Sequence, residues 1–309
     1  MLKVLRLTEG GTTEIDSMKP GSWMHCVAPT ESDLEQLQAG GVPPEFLSHM
    51  LDLRERTRIV RRGEAIHIVI HLPYALDKPS KIPFATAPVS LILLPELMVS
   101  SESRDMGLFE KLTPYAPPKL GESEKTRFVL STLLLAASEY LAYLQAINLT
   151  VDEAEDRLQR SLRNREVLEL LNYQKSLVFF STALNSIEAM VEKLRKGEFL
   201  SWSPAEMELA EDVLIEIRQA MYQVDIAQNI LTQMMDAFAS IVSNNLNTVM
   251  KFLAAVTIVI SVPMLIASIY GMNVPLPGSS NPQSFGWLIV LSVFLSALVI
   301  VLLRSRDWL

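Results

Sequence analysis

Residues 251–273 read KFLAAVTIVISVPMLIASIYGMN. Between Lys251 and the closing Gly271-Met272-Asn273 lies Phe252–Tyr270, a run of 19 residues without a charge. At a rise of about 1.5 Å per residue, such a helix comes close to the roughly 30 Å hydrocarbon thickness of a bilayer. A second uncharged run, Gly286–Leu303, follows after a short loop. The fold class follows from this pair: an α+β membrane protein with its apolar excess at the C-terminal end and an ordinary soluble composition over the first 250 residues.

The flanks of the two spans set an expected orientation. Lys251 precedes the first span, Arg304 and Arg306 follow the second, and Val274–Phe285 carries no charge. The positive-inside rule then places both termini in the cytoplasm of a cell (inner) membrane protein and the loop outside. The N-terminal Met-Leu-Lys-Val-Leu-Arg-Leu is charged too early for a signal peptide, so residues 1–250 are expected to stay inside. One cysteine, Cys26, excludes an internal disulfide and reads as a small buried apolar residue. The net charge of −8 sits on the soluble part, which argues against nucleic acid as a partner.

Residues 1–121 mix strand and short-helix patterns, an α/β domain on a mixed sheet. Strands are expected at Lys3–Leu7, Trp23–Val27, Arg56–Val60, Ala65–Leu72, Pro88–Leu94 and Leu97–Ser101, from β-branched residues and alternation. Helices are expected from Thr30 to Gln38 and over Pro43–Leu51. From residue 122 the spacing turns helical, giving a stalk over 122–250. Ser123–Ile147 reads as one long helix and Arg165–Lys196 as another, ended by Gly197. Thr150-x-x-Glu153 is either a capping box or the interior of a continuing helix. Ser203-Pro204-Ala205-Glu206 is a stronger start, with Ser at N-cap, Pro at N1 and Glu at N3.

From there no Gly or Pro interrupts the chain until Pro263. Apolar residues fall alternately four and three apart, at Ala210, Leu214, Ile217, Met221, Val224, Leu231, Met235, Phe238, Val242 and Val249, with Gln228 and Asn245 in the remaining seam places. This heptad repeat predicts a single helix of about 65 residues, part cytosolic and part transmembrane, whose seam needs neighbours or other copies to cover it. The segments in order are 1–121, 122–250, a first span 251–271, an external loop 272–285, a second span 286–303 and a cytosolic tail 304–309.

Gly-Met-Asn closing the first of two C-terminal spans resembles the signature of the CorA family of divalent-cation channels. The resemblance extends loosely over the chain, through the strand entry at Arg58-Ile59, Ala87-Pro88-Val89-Ser90, the long helix and the ending Arg304–Leu309. It implies a homopentameric funnel, since two spans cannot enclose a pore alone and the number five comes from the family. It also implies that Gly271, Met272 and Asn273 form the selectivity ring for a hydrated divalent cation: Mg2+, with Co2+ and Ni2+ as further substrates. The chemistry fits, because Mg2+ gives up its waters reluctantly and neutral carbonyls at the negative end of a helix can hold those waters without trapping the ion. Gly271 suits the position just past a helix end, where positive φ is common. By the same resemblance Asn247 is a polar ring, Met250 and Leu253 a hydrophobic constriction, and Asp236 an acidic ring at the cytosolic mouth. Asp212 matches a position that binds a regulatory divalent cation between subunits, with Glu102, Asp105 or Glu110 as its partner. The family implies no covalently bound cofactor.

Two features depart from the magnesium-type pattern. The loop after Gly-Met-Asn lacks an acidic residue, and the basic tail is thin and diluted by Asp307. The zinc-moving ZntB branch shares the architecture and stays an alternative, as does a membrane-anchored scaffold that transports nothing. His67 and His71 share a strand face, but i and i+4 on a strand lie about 13 Å apart, too far to share one metal. No Ser-His-Asp order, phosphate loop or Cys/His cluster supports an enzyme.

Overall fold

A computed structural model of the chain describes residues 2–8, 11–76, 80–160, 164–196, 199–274, 277–278, 281, 283–306 and 308, with backbone only over 155–160 and 164–166. It divides into two compact units, Met1–Gln233 and Met234–Leu309, with the boundary inside one continuous helix.

The first unit is built on a seven-stranded mixed sheet. Its strands are β1 Leu2–Thr8, β2 Gly11–Glu14, β3 Ser22–Val27, β4 Arg58–Arg62, β5 Ala65–Ala75, β6 Phe84–Leu93 and β7 Leu97–Glu102. The spatial order is β2-β1-β3-β7-β6-β5-β4. Only β3 and β7 run parallel, aligning His25 with Ser100 and Val27 with Glu102. β5 is almost wholly buried, as a near-continuous apolar strand must be when both sheet faces are covered. On one face lie α1 (Glu31–Ala39) and α2 (Pro44–Leu51), which bury Leu37, Phe46, Leu47 and Met50. Thr30 caps α1 through a reciprocal box with Asp33. The short α3 (Leu108–Leu112) follows β7.

On the other face lie α4 (Glu122–Arg160) and α5 (Asn164–Arg195). The Tyr140 hydroxyl of α4 donates to the His71 carbonyl at 2.9 Å, and Ser176 of α5 bonds both backbone groups of Phe84. Phe128 of α4 meets Trp23 edge to face at 5.5 Å. α4 runs through Thr150, whose hydroxyl donates to the Ala146 carbonyl, so Thr150 lies inside a continuing helix and does not cap a new one.

Then come α6 (Pro204–Tyr270), 67 residues long, and α7 (Ser284–Arg304). Among the described residues three helices have the length and composition of a membrane span: α4, α6 and α7. Half of the apolar window of α4 is buried inside the protein, against 6% for α6 and none for α7. The apolar window of α4 therefore already has its solvent, the sheet, whereas the apolar windows of α6 and α7 are almost bare in the single chain.

The sequence patterns miss one strand of the sheet and the start of another. β2 is Gly-Thr-Thr-Glu, with no apolar alternation, and forms only because β1 offers it a hairpin partner. β6 begins at Phe84, four residues before Pro88. Residues 84–88 pair with β5 alone, beyond the end of the β7 ladder, where a proline's missing N–H is tolerated. Gly197, expected to end α5, lies outside the described residues, as do Asp307 and Leu309 of the tail.

Candidate functional site

α6 ends at Tyr270, and the Gly271 N–H still closes a helical bond to the Ala267 carbonyl at 2.9 Å. Met272 donates to Ile269 at 3.3 Å, tightening the last turn. The positive φ expected at Gly271 is not observed. What the glycine supplies is room: a Cβ there would sit 3.2 Å from the Ala267 carbonyl oxygen. Met272 and Asn273 follow directly and are exposed. The Tyr270 hydroxyl donates to the Pro277 carbonyl at 3.3 Å, tying the helix end to the loop beyond.

Down the same helix, Asp236, Asn247, Met250 and Leu253 are all exposed. Asp236 and Asn247 are eleven residues apart, about three turns, and so lie nearly in line along the helix. Asn247, Met250 and Leu253 follow at i, i+3 steps, neighbours on one surface. Every residue from 241 to 250 is exposed in the single chain. Within this unit, the groove between the end of α6 and α7 encloses about 750 Å³. It is lined by Pro263, Ile266, Tyr270, Phe285, Leu288 and Ile300 among others, with Ser292 and Ser296 as its only aliphatic hydroxyls. That lining offers a hydrated ion no path between the two spans of one copy.

Asp212 is exposed near the start of α6. Of its three candidate partners, Glu102 is fully buried and already engaged. One Glu102 carboxylate oxygen accepts from the Met106 N–H at 2.9 Å, and the other lies 3.3 Å from His25 Nε2. The other imidazole nitrogen, Nδ1, is 2.8 Å from Ser100 Oγ, which also accepts from the Trp23 indole at 2.9 Å. This closed network excludes Glu102 as a bridging ligand. Asp105 and Glu110 stay exposed, with Asp105 accepting from the Gly107 N–H. Sequence reasoning missed the network, because only the β3–β7 register brings His25 to Ser100 and Glu102.

A second group missed as a unit fastens the root of α6. The Glu206 carboxylate is fully buried; it accepts from the Ser203 backbone and hydroxyl, from Ser123 Oγ at 2.7 Å and from Arg127 Nε at 2.8 Å. These bonds, those from Ser203 and Ser123 foremost, hold the carboxyl down at about 2. The capping box read from Ser203 and Glu206 is thus also the joint between α4 and α6.

A family model described as "CorA-like Mg2+ transporter protein" matches residues 19–305. The chain belongs to that family. Over 293 residues it is 26% identical to the cobalt/magnesium transport protein CorA of Methanocaldococcus jannaschii, covering 93% of this chain and 90% of the relative. The solved complete structure of the CorA magnesium transporter from that organism superposes with a TM-score of 0.85 at 22% identity, covering 100% of this chain and 99% of the other. The ZntB cytoplasmic domain from Vibrio parahaemolyticus gives 0.61 at 11% identity, over 78% of this chain and 98% of that one. The α/β domain, the very long helix and the two apolar C-terminal helices are thus the CorA architecture, and CorA-like proteins are membrane transporters of divalent cations.

Proposed function

We propose that the protein is a homopentameric channel for hydrated divalent cations, Mg2+ foremost and Co2+ and Ni2+ as further substrates. Gly271, Met272 and Asn273 select the ion, and both termini lie in the cytoplasm. The observation that carries this reading is the position of Gly-Met-Asn: it closes the end of α6, with Gly271 and Met272 bonded back to Ala267 and Ile269, where unpaired carbonyls and the negative helix end gather. Five such ends around an axis make a ring of neutral oxygen acceptors suited to an ion that keeps its waters. The apolar groove within one copy supports an assembled pore, because a polar path then has to run along α6 at an axis between copies.

In this reading Asp236 concentrates cations at the cytosolic mouth and Asn247 contacts their water shells. Met250 and Leu253 close the path by dewetting. Asp212, with Asp105 or Glu110 of a neighbouring copy, holds a regulatory cation whose loss lets like charges part. A negative interior drives uptake with about 2.3 kcal/mol per charge per 100 mV. The uncharged runs Phe252–Tyr270 and Gly286–Leu303 contain no Asp, Glu, Lys, Arg or His, which disfavours a zinc carrier with a proton relay in the membrane.

The test is reconstitution in liposomes holding a Mg2+-sensitive dye under a negative-inside potential. Mg2+ enters with the native chain, and Asn273→Ala abolishes entry while leaving the assembly intact. Entry of Zn2+ alone selects the ZntB-like reading. A folded assembly that passes no divalent cation selects an anchored scaffold and ends the proposal.

A further inference from the structure

The end of α6 and the helix α7 belong to one compact unit and enclose between them the groove of about 750 Å³. Two polar groups in this apolar place lack the partners that such a place demands. The first is a hydroxyl. Thr248, Thr257, Ser261 and Ser292 each donate to the carbonyl four residues back, the usual resort of a hydroxyl on an apolar helix. Ser296 stands one turn beyond Ser292 on the same face of α7 and does otherwise. Its Oγ is buried in the groove and bonds nothing among the described residues.

The second is a carbonyl. Pro263 stands inside α6 and has no N–H, so the Val259 carbonyl lacks the donor that a helix sets four residues on. That carbonyl lies beneath the proline ring, on the same side of α6, and this side lines the groove through Pro263, Ile266 and Tyr270. The two orphans also share a depth. Tyr270 and Phe285 line the end of the groove nearest the loop. Val259 is eleven residues back from Tyr270 and Ser296 eleven residues on from Phe285, so each lies about 16 Å from that end.

One orphan donates and the other accepts. A proline is tolerated in a membrane helix where a Ser or Thr of a neighbouring helix serves the carbonyl it frees. Packed proteins hold few voids larger than a water molecule, so a cleft of this volume is either filled or closed. The means of closing it are present. Helices kink at proline, and Ala267 and Ala297 on the two walls are small enough to let the backbones approach.

We propose that the groove is a latch, open in the single chain and closed on assembly: α6 bends at Pro263, and Ser296 Oγ then donates to the Val259 carbonyl of the same chain. The segment beyond Pro263 carries Gly271-Met272-Asn273, so this bond sets the tilt of the mouth against the part of α6 that holds Met250 and Leu253. The latch rests on the reading of the protein as an assembly of copies, and its effect on the mouth on the pore reading.

A double-mutant cycle on the full chain, assembled in detergent and melted, tests this. Ser296→Ala is expected to lower the midpoint of the assembled protein by about 1–2 °C, the size of one hydrogen bond between membrane helices. Pro263→Ala returns a helical N–H to the Val259 carbonyl, and in that background Ser296→Ala is expected to be neutral. Ser292→Ala removes a hydroxyl that is already bonded along its own helix and is expected to leave the midpoint in place. The melts need no ion flux, so they are independent of Mg2+ entry. A chain that stays single, seen by its size before any melt, ends the assembly reading and the latch with it. In an assembled protein, a Ser296→Ala midpoint at or above the native one overturns the latch alone. An equal loss in both backgrounds overturns it too, and assigns the acceptor to a neighbouring copy.

Discussion

Along α6 a single heptad repeat meets two environments. From Ala210 to Leu231 its apolar places are covered by the chain itself: Ala210, Leu214, Ile217, Val224 and Leu231 are buried. Arg218 reaches two α5 acids, Glu188 and Glu192, at 2.6 and 3.1 Å. Further on, Val242 and Val249 occupy equivalent places and are 42% and 61% exposed. The sequence rule is the same in both stretches, and it states only that a face wants cover. In the first stretch the sheet domain's own helices provide it. In the second none of the described residues does, and the cover has to come from lipid or from further copies.

The largest expected effect contrasts those stretches. Ile217→Ala opens a cavity in a closed core and is expected to cost about 2–5 kcal/mol, read as a lower unfolding midpoint of the full chain in detergent. Val249→Ala, on bare surface, is expected to stay within about 0.5 kcal/mol for the dissociated chain and to act on assembly instead. Equal losses in the dissociated chain would erase the distinction between the two halves of the repeat.

The Glu206 joint comes next. Glu206→Gln keeps the shape but removes the charge that Arg127 and two serines address, at about 1–3 kcal/mol. The pH dependence has a definite sign. The folded carboxyl is held down to about 2 from an ordinary 4.5. Its contribution is therefore fully present above about 4.5 and fades as pH falls toward about 2. The native chain should lose stability through that window faster than the Gln variant, and parallel acid melts of the two would show the joint to be unimportant.

The strands and helices with strong periodicity were legible because their cover was local. β5 and β7 read directly from apolar runs, and α1 from Thr30 and Asp33. The α6 span was legible from the absence of helix breakers, with Pro263 tolerated inside it. What stayed hidden depends on register or on a distant partner. β2 has no pattern of its own, and the His25–Ser100–Glu102 network needs β3 beside β7. His49 and His67 are eighteen residues apart and meet only because α2 packs on the sheet. At the end of α6 the motif itself was visible. The role of its glycine was not, because close approach to the Ala267 carbonyl is a matter of geometry that helix-end statistics do not contain.

The smallest expected effect reaches the part of the molecule the chain leaves bare. Thr248, Thr257 and Ser261 of α6 and Ser292 of α7 each donate to the carbonyl four residues back. Ser296 Oγ, in the apolar groove between the two helices, is buried without a hydrogen-bond partner. Removing a polar group that bonds nothing should be neutral or stabilise by up to about 1 kcal/mol. Ser296→Ala is therefore expected to melt at or slightly above the native midpoint when dissociated. If a neighbouring copy supplies an acceptor, the assembled form loses about 0.6 kcal/mol per copy, the usual worth of a hydrogen bond between membrane helices. Comparing melts of assembled and dissociated protein thus reads whether assembly brings an acceptor into the α6–α7 groove. An equal gain in both forms shows that the groove around Ser296 stays as it is in the single chain when the copies assemble.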